Sequence, residues 1–237
     1  MIDNSLAELR ALVGDPAADP SAVLLRANAV VTMMSAAAEQ GGRVDGYEEA
    51  VRLFTEVAGR ALDVPAVAMK AHEHRSSLAL YQARVAGEEG DLAGALRHRT
   101  KGLSERRAAL ALVAPEASIR PQYLVQLATE LAVGHHFTGV NECDEAVALC
   151  REALSLPAGQ APALRPVIEH HLAFCLLQRA ASASAESESG AASSADLPSA
   201  DLDEADDLLR RVIGSDESMR VRAEQLRSEL NKLRVPR

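Results

Sequence analysis

One short pattern returns four times along the chain: an acidic residue, then a small residue, at the opening of an apolar run. It reads Tyr47-Glu48-Glu49-Ala50-Val51, then Asp91-Leu92-Ala93-Gly94-Ala95, Cys143-Asp144-Glu145-Ala146-Val147 and Leu202-Asp203-Glu204-Ala205. Ala50 and Ala95 are 45 residues apart, Ala95 and Ala146 are 51 apart, and Ala146 and Ala205 are 59 apart. A second motif, Ile119-Arg120-Pro121, comes back as Leu164-Arg165-Pro166, again at 45. Recurrence at this length is the mark of stacked two-helix units, each unable to bury its apolar face alone. The acid suits the positive end of a helix, and the small residue lets two helices come close.

Apolar residues follow the helical period. Cys143, Ala146, Val147, Cys150 and Leu154 do so, as do Leu202, Ala205, Leu208, Leu209 and Val212. No segment of useful length alternates with period two. Aromatics are only 3% of the chain and Trp is absent, a composition for helices rather than strands. The chain is therefore read as all-α. Start and stop signals predict helices near 4–13, 21–39, 46–62, 66–87, 91–113, 120–137, 142–155, 164–182, 201–214 and 217–234. Asp19 before Pro20 reads as a helix cap, and Ser5 with Glu8 and Asp201 with Glu204 read as capping boxes. Residues 182–200 hold seven Ser with Gly190 and Pro198, which predicts a mobile, acidic Ser-rich loop.

Leu127-Ala128 or Leu172-Ala173 on a first helix, then Asp/Glu-Glu-Ala opening a second, resembles a tetratricopeptide repeat. The run Leu124 to Pro166 is similar to the long-helix version common in actinomycetes and in chains attached to caspase-like CHAT domains. Two features depart from the pattern. Bulky aromatics are missing early in the first helices, and Glu169 stands where an apolar residue is expected. The resemblance implies one domain over 1–237, a right-handed solenoid of about four stacked antiparallel helical hairpins. The narrow apolar stripe of 217–234 then reads either as a capping helix or as a homodimerisation helix. The resemblance also implies a concave wall that grips a protein or peptide partner. Mapped onto this chain, that wall comprises Arg26, Glu73, Ser76, Arg84, Gln122, Thr129, His170 and Gln178.

The net charge is −9, and residues 184–207 contribute −8 of it, leaving −1 for the rest. This balance argues against nucleic acid, which needs basic surface. Arg97, His98, Arg99, Lys101, Arg106 and Arg107 form the one basic cluster, read as a solvated face or as a dock for an anionic partner. Three cysteines without a CxxC motif fit a reducing cytosol. Cys143 and Cys150, seven residues apart on one helix, are about 10 Å apart and cannot pair. Ala22 to Ala38 is interrupted by Arg26 and Asn28, so no membrane span is expected and the chain reads as cytoplasmic.

No phosphate-binding loop, dinucleotide fingerprint, nucleophile elbow or zincin motif is present. His72 and His74, His135 and His136, and His170 and His171 would have to converge from different helices to hold a metal. The reading that follows is a non-catalytic scaffold or adaptor, with no cofactor, that regulates a partner enzyme. A small all-α enzyme or metal sensor built on the histidines is one alternative, and a structural subunit of a larger assembly is another.

Overall fold

The structure, a computed structural model, describes residues 2–15, 17–41, 43–59, 64–138, 142–156, 162–188 and 196–234. Among the described residues it is all-α. Ten helices follow one another: α1 (Ile2–Gly14), α2 (Pro20–Glu39), α3 (Tyr47–Ala58), α4 (Pro65–Glu88), α5 (Leu92–Ala111), α6 (Arg120–Thr138), α7 (Cys143–Ser155), α8 (Arg165–Glu188), α9 (Asp196–Ser215) and α10 (Glu217–Arg234). They fall into two compact units, Met1–Val113 and Ala114–Arg237, with the break beside Pro115. Within each unit, helices adjacent in sequence pack together, and so do α2 with α4, α6 with α8 and α8 with α10. This sequential packing is consistent with a stacked helical-repeat arrangement.

Local chemistry sets several boundaries. Asp19 caps α2, its carboxylate accepting from the Ser21 and Ala22 amides, and Pro20 occupies the first turn. Asp91 caps α5 by accepting from the Gly94 amide at 2.8 Å. Pro65 opens α4, where the lost N–H has no helical partner in any case. Two expected capping boxes do not form. Ser5 lies inside α1, which begins earlier, and Asp201 lies inside α9, which begins at Asp196. Helix also enters the segment expected to be a loop: α8 runs to Glu188 and α9 starts at Asp196, while 189–195 lie outside the described residues.

Unit 1 is built around α2 and α3. Val30, Val31 and Met34 of α2 pack with Tyr47, Leu53 and Phe54 of α3 and with Leu6 and Leu9 of α1. By length and composition α2 could cross a membrane, yet one of its faces is buried in this core. The pair α4 and α5 packs on small residues, Ala79, Ala83, Ala95 and Gly102. Ser76, fully buried, donates its hydroxyl to the Gly102 carbonyl at 2.7 Å. His72 meets Glu105 at 2.6 Å, so residue numbers rise on α4 as they fall on α5, and the two helices run in opposite directions.

In unit 2, Leu124, Leu127 and Leu131 of α6, Cys150 of α7, Leu172 and Leu176 of α8 and Leu209 of α9 supply the core. Buried charges are paired. Arg179 of α8 holds Asp201 through two hydrogen bonds of 2.7 Å and reaches Asp144 at 2.8 Å. Asp206, 3% exposed, takes Arg210 and Arg227 at 2.6 Å each and Arg234 at 3.6 Å. Burial alone would raise its carboxyl, but the Arg227 hydrogen bond and the nearby guanidinium charges hold it below the ordinary carboxylate value. Arg227 and Arg234 thereby tie α10 to α9, beside the buried Met219, Ala223 and Leu230.

Gly102 sets the α4–α5 spacing. A Cβ there would lie 2.8 Å from Leu80 Cγ and 3.3 Å from the Leu80 backbone nitrogen. Gly102→Ala gains roughly 1 kcal/mol of helix propensity but forces a methyl against backbone, and overpacking costs about 1–3 kcal/mol. The expected result is a net loss of roughly 1 kcal/mol and a lower melting temperature by circular dichroism. A variant that melts higher than the parent would show that the interface has room to spare.

Candidate functional site

Unit 1 carries an open groove floored by α4 and bounded by α3 and the start of α5. Leu78, Tyr81, Gln82 and Val85 lie on one face of α4 and line a cavity of about 450 Å³. A second depression of about 440 Å³ shares Glu48 and Leu78 and runs on to Arg52, Arg75 and Lys101.

The lip of the first cavity is held by local geometry. Gly46 adopts φ +75°, and a Cβ on it would strike Leu6 Cδ2 at 2.5 Å. Only glycine makes this turn cheaply, and it leads the chain from Asp45 directly into α3. Tyr81 is fixed from above: its hydroxyl accepts the Val44 amide at 2.9 Å. Its ring meets Tyr47 edge to face at 5.5 Å, and the Arg84 guanidinium lies 5.4 Å from its centroid. Tyr47 is 2% exposed, and burial pushes its phenol above the ordinary value.

Charge around the groove is uneven. Glu89 pairs with Arg43, and Asp91 lies 3.9 Å from Arg97. Asp45 and Glu48 pair with no cation among the described residues, and Lys101 pairs with no carboxylate among them.

The expected wall residues divide between the units. In unit 1, Arg26 is ion-paired with Glu8 of α1, and Glu73 with Lys70 at 2.8 Å. Ser76 is a correction: it is wholly buried against the α5 backbone and is not on any wall. Arg84 pairs with Glu88 at 2.5 Å, reaches the Ala38 carbonyl at 3.4 Å and lies 5.4 Å from the Tyr81 ring centroid. In unit 2, Gln122 is exposed, while Thr129, His170 and Gln178 are half-buried. Thr129 and the His170–His171 pair come together. The single Thr129 hydroxyl proton goes to the Val125 carbonyl at 2.9 Å, so the His171 Nδ1 proton is the one that reaches Thr129 Oγ1 at 3.0 Å. The His170 and His171 rings pack edge to face.

The residues that line the groove, Tyr47, Leu78, Tyr81, Gln82 and Val85, were missed by sequence reasoning. A signal existed: two of the three tyrosines in the chain sit on the face that an i, i+3, i+4, i+7 reading of α4 joins to the start of α3.

The other singled-out clusters are dispersed. In the basic cluster of α5, Arg99 and Arg106 are buried while Arg97 and Lys101 are exposed, so it is not one solvated face. His72 pairs with Glu105, and His74 lies 2.9 Å from the Asn28 amide oxygen and packs on Phe54. No group of three metal-binding side chains gathers among the described residues, and the side chains of His135 and His136 lie outside them. Cys143, Cys150 and Cys175 are buried thiols outside any disulfide. Cys150 and Cys175 lie 4.0 Å apart, and their mutual contact, with burial, pushes the Cys175 thiol far up.

Comparison of the chain with protein-family models, with curated proteins and with solved structures finds no match.

Two histidines carry a pH dependence. Burial lowers His74 and His171 to about 4, with Glu73 and Lys70 adjusting the first and His170 and Arg222 the second. An unfolded histidine takes its proton near 6.5. Between those values the unfolded chain binds protons that the folded chain does not, so stability present above pH 6.5 is lost as pH falls towards 4. His74 alone accounts for on the order of 3 kcal/mol when the loss is complete. Urea unfolding across this window should show a shallower acid decline in His74→Gln than in the parent. An unchanged slope would mean that His74 is protonated in the folded state.

Proposed function

We propose that this chain is a non-catalytic, tetratricopeptide-like scaffold that holds an extended protein or peptide segment. The carrying observation is the groove in which one face of α4 forms the floor between α3 and α5. Such a shape presents side-chain pockets along a line, as an extended segment requires.

The repeat reading is supported by where helices touch. Asn28 of α2 meets His74 of α4 and the Ala38 carbonyl meets Arg84, each 46 residues on. Thr129 of α6 meets His171 of α8 at a separation of 42, and the Ala128 carbonyl meets Cys175 at 47. α2 and α4 thus run parallel at the spacing of the sequence repeat, and α6 meets α8 at a similar separation. Cys150 with Cys175 and Asp144 with Arg179 run in opposite order, as the two helices of neighbouring units do. In this reading α10 is the solvating cap of a right-handed stack, its charged face outward and Ala223 and Leu230 inward. A cytosolic site and control of a partner enzyme belong to the same reading.

The test is selection of binders from a random peptide display library on the purified full chain. Selected peptides should compete with one another and should lose affinity by roughly tenfold or more on Gln82→Trp, which fills the cavity floor. Circular dichroism would establish that the variant folds. Binding untouched by the filled floor, or no selection at all, would remove this function.

A further inference from the structure

The groove has a chemical preference as well as a shape. Its first cavity joins aromatic rings to carboxylates. Tyr47 and Tyr81 line it, and Asp45, Glu48, Glu89 and Asp91 stand around it. Two of these acids, Asp45 and Glu48, lack an internal counter-charge among the described residues. The Arg84 guanidinium lies 5.4 Å from the Tyr81 ring centroid.

We propose that the groove selects a basic partner segment, a lysine or arginine side chain of which enters the cavity between the tyrosines and the Asp45–Glu48 lip. This rests on the reading that the groove holds a peptide.

Charge complementarity decides among occupants. An acidic or phosphorylated segment would bring like charge against the uncompensated Asp45 and Glu48. A wholly apolar one would strip water from Asp45 and Glu48 and return nothing for it. A long basic side chain lays its methylenes on Leu78 and the rings and delivers its charge to the lip. The lip is set before binding, because Gly46 fixes the turn and the Val44 amide holds the Tyr81 hydroxyl. Less ordering is then needed when the segment arrives.

The test uses the full chain and three fluorescein-labelled dodecapeptides of alternating Leu and Ser, differing only in whether three positions hold Lys, Gln or Glu. Fluorescence anisotropy should show the Lys peptide binding at least about tenfold tighter than the Gln peptide, and the Glu peptide weakest. The Lys advantage should shrink between about 50 mM and about 300 mM salt. Asp45→Asn with Glu48→Gln should abolish most of that advantage and leave the Gln peptide unaffected. Asp207→Asn with Glu224→Gln removes the same charge from exposed sites of unit 2 and should leave all three peptides unaffected. Equal affinity for the Lys and Gln peptides would overturn the basic preference and leave the groove as a peptide site. Equal losses from the two double variants would overturn it in favour of diffuse attraction. Failure of all three peptides to bind would overturn both readings.

Discussion

Three Phe, three Tyr and no Trp leave this chain little bulk to fill the space between helices. The space has to be removed instead, by bringing backbones together over small side chains. Ala71, Ala79, Ala95 and Ala109 are buried across α4 and α5, and Gly102 lets the second helix approach until its carbonyl accepts the Ser76 hydroxyl. Close packing is worth as much per contact on alanine as on leucine, but it tolerates no error in spacing. The Ser76 bond is a consequence of the approach and also its gauge: a hydroxyl reaches a helical carbonyl on a neighbour only when the two backbones nearly touch.

Charge does a second job in unit 2. Glu169 is buried, with Arg165 at 3.3 Å and Arg211 at 3.7 Å, while Asp201 is gripped by Arg179 and Asp206 by Arg227 and Arg210. Each acid sits in a helix interface and has at least one partner from another helix. A buried pair adds little net stability over apolar packing, but breaking one leaves an unpaired charge and is costly. Sliding one helix by a turn would break several at once. The pairs therefore fix which turn meets which, a choice that smooth alanine surfaces leave open.

All ten helices were legible in the sequence because helical periodicity and caps are local signals. Asp19-Pro20 and Asp91 work as read. Phase was less legible. Ser76 reads as a polar wall residue, since a hydroxyl at the edge of an apolar stripe can face either way, and only the distant Gly102 decides. Ser5 and Asp201 are good cap residues, but each helix begins a few residues earlier, and the Arg179 fork holds Asp201 inside α9. Glu169 looked like a defect in the repeat for want of any local clue that Arg211, on the following helix, lies beside it.

The groove was invisible for a related reason. Its floor mixes apolar residues with Gln82. Leu78, Tyr81 and Val85 are residues that pattern rules assign to the core, and here they are half-buried beneath an open cavity. A search for binding residues among polar positions on apolar helices therefore passes over it. The expected wall residues that are charged, Arg26, Glu73 and Arg84, are instead paired with Glu8, Lys70 and Glu88. Under the proposed function, the mark of a binding surface in this unit would be the reverse of that search: half-buried apolar and aromatic side chains next to carboxylates left unneutralised. A segment offering methylenes and a positive charge would satisfy both together.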